Sequence, residues 1–158
     1  MNSFQIKCYS KINLSLRVIK KLKSGYHNIA SLITFSNLCD NITITKINNN
    51  KDKIIFSGKF RKGINKKTNS ITKVLKLLRS KNLLRSEFFE INVKKNIPHG
   101  SGLGGGSSNA AELLNYFYRK IKLKISKKKK NILARKISFD VPISLEKKNS
   151  YLTGKKDE

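Results

Sequence analysis

The 158-residue sequence predicts an α+β fold, because strand patterns come first and helical patterns, interrupted by one strand, follow. Hydrophobic residues make up 38% of the chain, which is enough for a buried core and too many for wholesale disorder. The length suits one domain, and the sequence contains neither an internal repeat nor a linker-like stretch. We therefore expect residues 1–158 to form a single domain.

Four early segments carry strand patterns. In residues 12–18 apolar and polar side chains alternate without a break, which predicts a strand with one buried face. A turn is predicted at residues 23–25. Further strands are predicted at residues 29–35, 42–47 and 54–56. We expect a polar turn containing Asp40 between the first two of these.

The next segment predicts a helix and then a strand. Asn69 or Ser70 can cap the helix, and apolar residues follow at the i, i+3, i+4, i+7 spacing of an amphipathic helix. These residues are Ile71, Val74, Leu75 and Leu78. In the strand, apolar and polar side chains alternate, so we expect Phe89, Ile91 and Val93 to face the core.

Two more helices are predicted after a glycine-rich segment. Residues 98–108 contain five of the nine glycines, and an apolar stripe at helical spacing follows them directly. The inward residues of this second helix are Ala110, Leu113, Leu114 and Phe117. A third, basic helix is predicted from Ser126 to about Ile137, with three inward residues, Ile132, Leu133 and Ile137.

The glycine-rich segment predicts a phosphate site. The first N–H groups of a helix have no internal partner, and the helix dipole is positive at that end. Glycines let the backbone approach phosphate oxygens closely. Ser107 and Ser108 can cap the helix, and one of their hydroxyls can face a phosphate or Mg²⁺. The candidate phosphate-binding residues are Pro98, His99, Gly100, Ser101, Gly102, Leu103, Gly104, Gly105, Gly106, Ser107 and Ser108.

The alternatives for this segment are a flexible linker or a plain tight turn. A dinucleotide site is excluded because an acidic residue is needed about 20 positions on, where residues 120–124 are basic and apolar. No Gly-Lys-Ser/Thr follows the glycines, and the protein-kinase motifs are absent. We favour a phosphate cradle, because linkers rarely separate a clear strand from a clear helix.

Acidic residues number only nine, and Asp140 stands out among them. Its neighbours in residues 139–143 are apolar, where an unpaired carboxylate is costly. It either caps a short helix or is placed for chemistry, and the local sequence leaves both open. Lys11 lies at the mouth of the most regular strand, before the polar Asn13, where most lysines are merely solvated. We expect surface or turn positions for Asp40, Glu87, Glu112 and Glu146.

The formal charge of +26 has two interpretations. Clustered cations can bind nucleic acid, or a lysine-rich chain can simply have solvated faces. Lysine greatly outnumbers arginine, the charges lie along the whole chain, and aromatic residues are not interleaved with them. We therefore favour solvated faces and expect no nucleic-acid partner.

Other classes of site and location are also disfavoured. His27 and His99 are too few and too separate for a metal site, and Cys8 and Cys39 have no metal-like spacing. No apolar run approaches the roughly 20 residues of a membrane helix. The chain start lacks a secretory-signal pattern. We expect a cytoplasmic protein without a membrane partner, and the sequence leaves its oligomeric state open.

Four motifs in order and spacing carry a family resemblance: residues 10–14 (Ser-Lys-Ile-Asn-Leu), 25–27 (Gly-Tyr-His), 98–111 and 140–142 (Asp-Val-Pro). From Lys7 to about Gly154 the chain resembles the GHMP kinase superfamily, and within it the family of 4-diphosphocytidyl-2-C-methyl-D-erythritol kinases. This resemblance implies the ribosomal protein S5 domain 2-like fold, with helices packed on a mixed sheet. It also implies that residues 1–158 are the amino-terminal, ATP-binding domain and that the family's carboxy-terminal domain is missing.

The resemblance also implies an activity and its residues. Such enzymes use ATP and Mg²⁺ to phosphorylate the 2-hydroxyl of a cytidine-diphosphate-linked substrate on the methylerythritol phosphate route to isoprenoids. The aspartate at the place of Asp140 acts as base, and the lysine at the place of Lys11 lies beside it. Asn13 lies near the reacting hydroxyl, while Tyr26 and His27 contact the cytosine. The glycine segment holds the ATP phosphates, with Ser107 as a candidate Mg²⁺ contact.

Two departures from the family shape the expectations. Without the carboxy-terminal domain, we expect weak or no kinase activity from 158 residues alone. His99 and Ser101 stand where glycine or an apolar residue is more usual, which affects the fine geometry of phosphate binding. The alternatives are an RNA-binding protein, or a GHMP kinase that acts on a sugar or an amino-acid alcohol.

Overall fold

The computed structural model describes residues 3–21 and 27–155. These residues form five strands and four helices, and none of the helices is long and apolar enough to span a membrane. In chain order the elements are β1 (Ser3–Lys21), β2 (His27–Ile47), β3 (Lys53–Ser57), α1 (Ser70–Ser80), β4 (Phe88–Lys94), α2 (Gly105–Arg119), α3 (Lys127–Ile137), α4 (Val141–Glu146) and β5 (Ser150–Lys155).

The strands form one mixed sheet. β1 pairs antiparallel with β2 along almost its whole length. On the other edge of β2, β5 pairs with residues 28–33 and β4 pairs with residues 41–47, both antiparallel. β3 pairs parallel with β4. The predicted α+β class and the mixed sheet are confirmed, whereas β5 was not predicted.

The core lies between the β2–β4 part of the sheet and the helices, and its stripes follow the predicted spacings. Every inward residue predicted for the strand at 88–94 and for the first two helices is buried. In α3, however, Ile132 is 42% exposed, so its predicted inward position is wrong. The buried stripe of α3 includes Lys130 instead, whose ammonium donates to Asn115 Oδ1 at 2.9 Å. That hydrogen bond satisfies a buried cation that composition alone places in solvent.

The predicted turn at Asp40 is wrong, because β2 runs through it as one strand. Asp40 pairs with Cys8 of β1 and is fully buried, so it is not the surface charge that we expected. Glu112 is also buried, in α2, where its carboxylate pairs with Lys147 at 2.7 Å. The predicted turn at residues 23–25 lies outside the described residues.

Only part of β1 is covered by helices. α2 packs on β1 and β2, and it covers the half of β1 that contains Cys8, Ser10 and Lys11. Beyond this point Leu14, Leu16 and Val18 are all exposed, so the predicted buried face of residues 12–18 is wrong. The alternation is present, but no described element packs on either face there. Lys11 lies inside β1, where the covered half ends, rather than at the start of a strand.

Candidate active site

The glycine loop, residues 98–108, follows β4 after three residues and includes the first turn of α2. Three of its glycines have left-handed backbone angles. Gly100, Gly102 and Gly104 have φ values of 74°, 75° and 66°, a region in which residues with a Cβ are strained. Gly104 is the N-cap of α2 and offers no capping side chain. The first bond of the helix runs from Ser108 N to Gly104 O at 2.8 Å.

This start leaves the amides of Gly105, Gly106 and Ser107 without an intrahelical partner at the positive end of the dipole. The prediction that Ser107 and Ser108 cap the helix is wrong, because both lie inside its first turn. Ser108 is buried rather than open to a ligand. The start of α2 therefore has amides without a capping side chain, which is what an anion site at a helix start requires. Phosphate binding by the loop stays a prediction.

Two close contacts fix the loop against the rest of the domain. A Cβ on Gly104 would lie 3.2 Å from Lys11 Cβ, and one on Gly105 would lie 3.0 Å from Ile97 Cγ2. In addition, Lys11 N donates to Leu103 O at 2.9 Å. Glycine is thus needed at both positions for close packing, and at Gly104 also for its left-handed backbone angle.

Lys11 and Asp140 form an ion pair beside this loop. Lys11 Nζ lies 3.2 Å from Asp140 Oδ2, and the two side chains are 7% and 42% exposed. Asp140 is the N-cap residue of α4, but its side chain makes no capping hydrogen bond. The Asp140 backbone therefore begins a short helix, as one interpretation predicted, while its carboxylate pairs with Lys11 instead of capping that helix.

The glycine loop and Asp140 line one open cleft of about 530 Å³. A cleft of this volume is in the usual range for sites that bind small molecules. Its other walls come from segments that the sequence did not indicate as site residues. They include Phe56, Ile64, Asn65, Asn69, Lys95 and Asn109.

Asn109 is notable among these, because it is 2% exposed and its Oδ1 has no hydrogen-bond partner among the described residues. A buried acceptor without a partner is rare and fits a site that a ligand completes. The only sequence feature that could have indicated Asn109 is its position directly after Ser107 and Ser108, because its residue type does not distinguish it from the other asparagines of the chain.

The residues predicted to contact the second substrate lie elsewhere. Asn13 and His27 are exposed, on the uncovered parts of β1 and β2, and neither lines the cleft. Asn13 Oδ1 accepts a hydrogen bond from Ser31 Oγ at 3.3 Å. Tyr26 lies outside the described residues.

The described residues contain no group of three or more His, Cys, Asp or Glu side chains that could hold a metal ion alone. Ser107 lines the cleft, and its hydroxyl is an oxygen donor. Mg²⁺ commonly binds through one or two protein oxygens together with substrate phosphates and water. The donor set therefore fits Mg²⁺ that arrives with a phosphate ligand, and it does not form a separate metal cage.

A glycine loop at the start of a helix, sharing one cleft with an aspartate that pairs with a lysine, is an arrangement suited to phosphoryl transfer. The family of GHMP kinases, N terminal domain, matches residues 69–148, just over half of the chain. The chain belongs to this family.

Individual relatives give a narrower similarity. The chain is 50% identical over 146 residues to the 4-diphosphocytidyl-2-C-methyl-D-erythritol kinase of Pelagibacter ubique (strain HTCC1062), covering 92% of the chain and 51% of that relative. It is 40% identical over 151 residues to the kinase of the same name from Thermosipho melanesiensis (strain DSM 12029 / CIP 104789 / BI429), covering 95% and 52%. The chain thus spans about half the length of the curated relatives it matches.

Solved structures agree with this placement. A crystal structure of 4-(cytidine 5'-diphospho)-2C-methyl-D-erythritol kinase superposes with a TM-score of 0.78 and 25% identity, covering 96% of the chain and 52% of that structure. Homoserine kinase from Cytophaga hutchinsonii superposes with a TM-score of 0.61 at 15% identity, covering 88% and 42%. The second similarity is one of fold alone.

Proposed function

We propose that this chain is the ATP-binding domain of a kinase that phosphorylates the 2-hydroxyl of 4-diphosphocytidyl-2-C-methyl-D-erythritol, on the methylerythritol phosphate route to isoprenoids. One observation carries the proposal: Asp140 lines the same cleft as the glycine loop, and Lys11, 3.2 Å from the Asp140 carboxylate, packs against that loop. The relatives of that name, at 50% and 40% identity, support the choice of substrate over a sugar or an amino-acid alcohol.

The loop amides are suited to the ATP phosphates. Gly105, Gly106 and Ser107 offer N–H groups at the start of α2, and the cleft beside them continues toward Asn69 and Lys95. When bound, ATP supplies the phosphoryl group and Mg²⁺ offsets the charge on its phosphates. The Ser107 hydroxyl is the residue that we propose as a magnesium contact.

The ion pair is suited to the acceptor hydroxyl. In the proposed mechanism, Asp140 accepts the proton of the substrate 2-hydroxyl as that oxygen attacks phosphorus. The ammonium of Lys11 offsets the negative charge that develops on the same oxygen. The covalent work required of the protein is small, so placement of these two groups relative to the loop accounts for most of the catalysis.

The cytidine end of the substrate would lie along the uncovered halves of β1 and β2. Asn13, two residues beyond Lys11, is exposed there, and His27 begins β2. We keep Tyr26 as a proposed contact on the strength of the sequence motif. Because the relatives are about twice as long, we also propose that a second domain is needed for full turnover and that this chain alone is slow.

The experiment is a single-turnover assay with γ-labelled ATP, Mg²⁺ and the cytidine-linked substrate. We expect the chain to form labelled phosphate ester slowly. Asp140→Asn should lower the transfer rate by at least about 100-fold, as expected for loss of a general base. Its ATP affinity should change by less than about twofold, because the carboxylate acts on the acceptor rather than on the phosphates.

The acceptor is tested in the same assay with homoserine and mevalonate in place of the cytidine-linked alcohol. We expect label only in the cytidine-linked product. Preferential labelling of either alternative would replace the proposed substrate. Transfer by Asp140→Asn at the rate of the unaltered chain would remove Asp140 from the mechanism.

A further inference from the structure

Asp40 is a fully buried carboxylate that the proposed mechanism does not use. It lies in the middle of β2, yet its hydrogen bonds reach a different part of the chain. Its Oδ2 pairs with the Lys95 ammonium, and its Oδ1 accepts from the backbone amides of Asn96 at 2.7 Å and Ile97 at 2.9 Å. Lys95 is itself only 5% exposed, so the pair is buried on both sides.

The segment that Asp40 holds is the entrance to the glycine loop. Residues 95–97 connect the end of β4 to Pro98, the first residue of the glycine loop. Other bonds secure the same segment: Asn96 Nδ2 donates to Cys39 O at 2.9 Å, and Lys95 N donates to Ser57 O at 2.8 Å. The chain therefore enters the loop from a rigid point on the sheet.

This fixed point is coupled to the start of α2 by packing. Ile97 Cγ2 lies 3.0 Å from where a Cβ of Gly105 would be, so the two residues are in close contact. Gly105 is the first residue of α2, lines the cleft, and is one of the three residues whose amides have no intrahelical partner. A movement of Ile97 toward or away from the sheet would therefore move those amides.

Stability alone does not account for an ion pair in this place. Burying a carboxylate and an ammonium carries a desolvation cost that their attraction does not always repay, and apolar replacements are often neutral or stabilising. What an apolar side chain cannot supply is an acceptor for two buried backbone amides. The geometry calls for an acceptor at this position in the sheet.

We infer that Asp40 is a positioning residue for the phosphate cradle: by holding the amides of Asn96 and Ile97, it sets where the α2 amides meet a nucleotide's phosphates. The inference rests on the proposed function. In this inference the Lys95 ammonium offsets the negative charge of Asp40, so that a buried carboxylate can accept the two amide hydrogen bonds.

The chain offers a matched control. Asp52 also combines a largely buried carboxylate, an ion pair and a backbone amide: it binds Arg79 at 2.7 Å and accepts from Phe89 N at 3.0 Å. It does not line the cleft. Asp52→Ala should therefore lower stability as Asp40→Ala does, without the effect on nucleotide binding.

The test measures Mg-ATP affinity by calorimetry and stability by urea unfolding, at a temperature where each variant is folded. We expect Asp40→Ala to weaken Mg-ATP binding at least about tenfold, and Asp52→Ala by less than about twofold. Asp40→Asn keeps an acceptor but leaves Lys95 unpaired, so it should weaken binding. Adding Lys95→Met to Asp40→Asn should raise the affinity above that of Asp40→Asn alone, but not to the original value, because Lys95 itself lines the cleft and its charge is lost.

The outcomes are distinguishable. If the unaltered chain does not bind Mg-ATP, the proposed function fails. If it binds and folded Asp40→Ala binds equally well, the positioning inference fails. Should Asp40→Ala not fold, the Asp40→Asn pair decides: a rise in affinity on adding Lys95→Met supports the inference, and an affinity that does not rise, or never falls, contradicts it.

Discussion

Lys11 connects three parts of the site through different atoms. Its backbone amide donates to Leu103 O at 2.9 Å, its side-chain stem lies against Gly104, and its ammonium meets Asp140 at 3.2 Å. A single strand residue thus ties the glycine loop to the candidate base. Because the Asp140 carboxylate is 42% exposed, solvent screens the pair, and its contribution to stability is small.

Replacing this ammonium should therefore affect transfer more than folding. We predict that Lys11→Met, which retains the buried stem, lowers the single-turnover rate at least about tenfold because charge on the reacting oxygen is no longer offset. The free energy of unfolding in urea should change by less than about 1 kcal/mol. Lys46→Met, which breaks the exposed 2.8 Å pair with Glu87, should change neither quantity. An unchanged rate for Lys11→Met would contradict the proposed role.

Two of the three left-handed glycines in the loop, Gly102 and Gly104, allow the cost of backbone strain to be measured separately from the cost of crowding. Gly102 has φ 75° and open space around its Cβ position, whereas Gly104 has φ 66° and Lys11 Cβ within 3.2 Å. We predict that Gly102→Ala costs about 1 kcal/mol of unfolding free energy, from strain alone. Gly104→Ala should cost about 2 kcal/mol or more, because strain and overlap add. Equal losses in urea unfolding would mean that the contact with Lys11 relaxes freely.

The sequence could indicate a site residue only where the residues around it in the fold are also near it along the chain. The glycine loop carries its own signal, and Asp140 stood out against an apolar background. Asp40 looked like a turn residue, because its partners, Lys95 and the amides after it, lie more than 50 residues away along the chain. Lys95 was missed for the same reason, whereas Asn109 follows the glycine loop directly and was missed because asparagine is common in this chain.

Helices and strands were likewise predicted well where their signals are local and poorly where they depend on distant parts of the chain. α1 matched its prediction fully, since Asn69 Oδ1 caps it at Thr72 N with a 2.9 Å bond and its apolar stripe is buried. Both signals lie within a few residues. β2 and β5 depended on pairing across the sheet: β5 adds to residues 28–33 of β2, a partner that no local pattern could indicate.

α3 begins with four lysines, Lys127 to Lys130, and carries no acidic residue in its first turn. Cations at this end oppose the helix dipole. Burial lowers the pKa of Lys130, and the positive charges of Arg119 and Lys127 lower it further. The first turn of α3 is therefore an unfavourable place for so much positive charge.

Reversing one of these charges should stabilise the protein. We predict that Lys128→Glu, at an exposed position, raises the free energy of unfolding by about 0.3–1 kcal/mol at low ionic strength. Lys136→Glu in the last turn should lower it by a similar amount, since cations are favourable there. Both effects should shrink in about 1 M salt, where charges are screened within about 3 Å. Equal effects from the two variants would show that net charge, rather than the dipole, matters.

On the scale of the whole molecule, one half of the sheet carries the core and the other half is open. α1, α2 and α3 cover the part around β4, while the outer halves of β1 and β2 and β5 expose Leu14, Leu16 and Tyr151. Alternation in the sequence gave the right periodicity for β1 but could not tell which half of the sheet has a partner. The candidate site lies at the boundary, where Lys11 and Asp140 meet.

Glu112 is a buried carboxyl whose titration makes the stability of the whole molecule depend on pH. Burial raises the pKa of Glu112 above 4.5, outweighing the opposite effect of Lys147 at 2.7 Å. Folding therefore favours the protonated carboxyl. The stability that Glu112 contributes is fully present below pH 4.5 and is lost as the pH rises through the raised pKa of the folded state.

We predict that Glu112→Gln, which is neutral at every pH, gains stability relative to the unaltered chain as the pH rises through that pKa. Urea unfolding at a series of pH values measures the difference, with exposed Glu146→Gln as the control for net charge. A difference that falls as pH rises would mean that the Lys147 pair, rather than burial, dominates at Glu112.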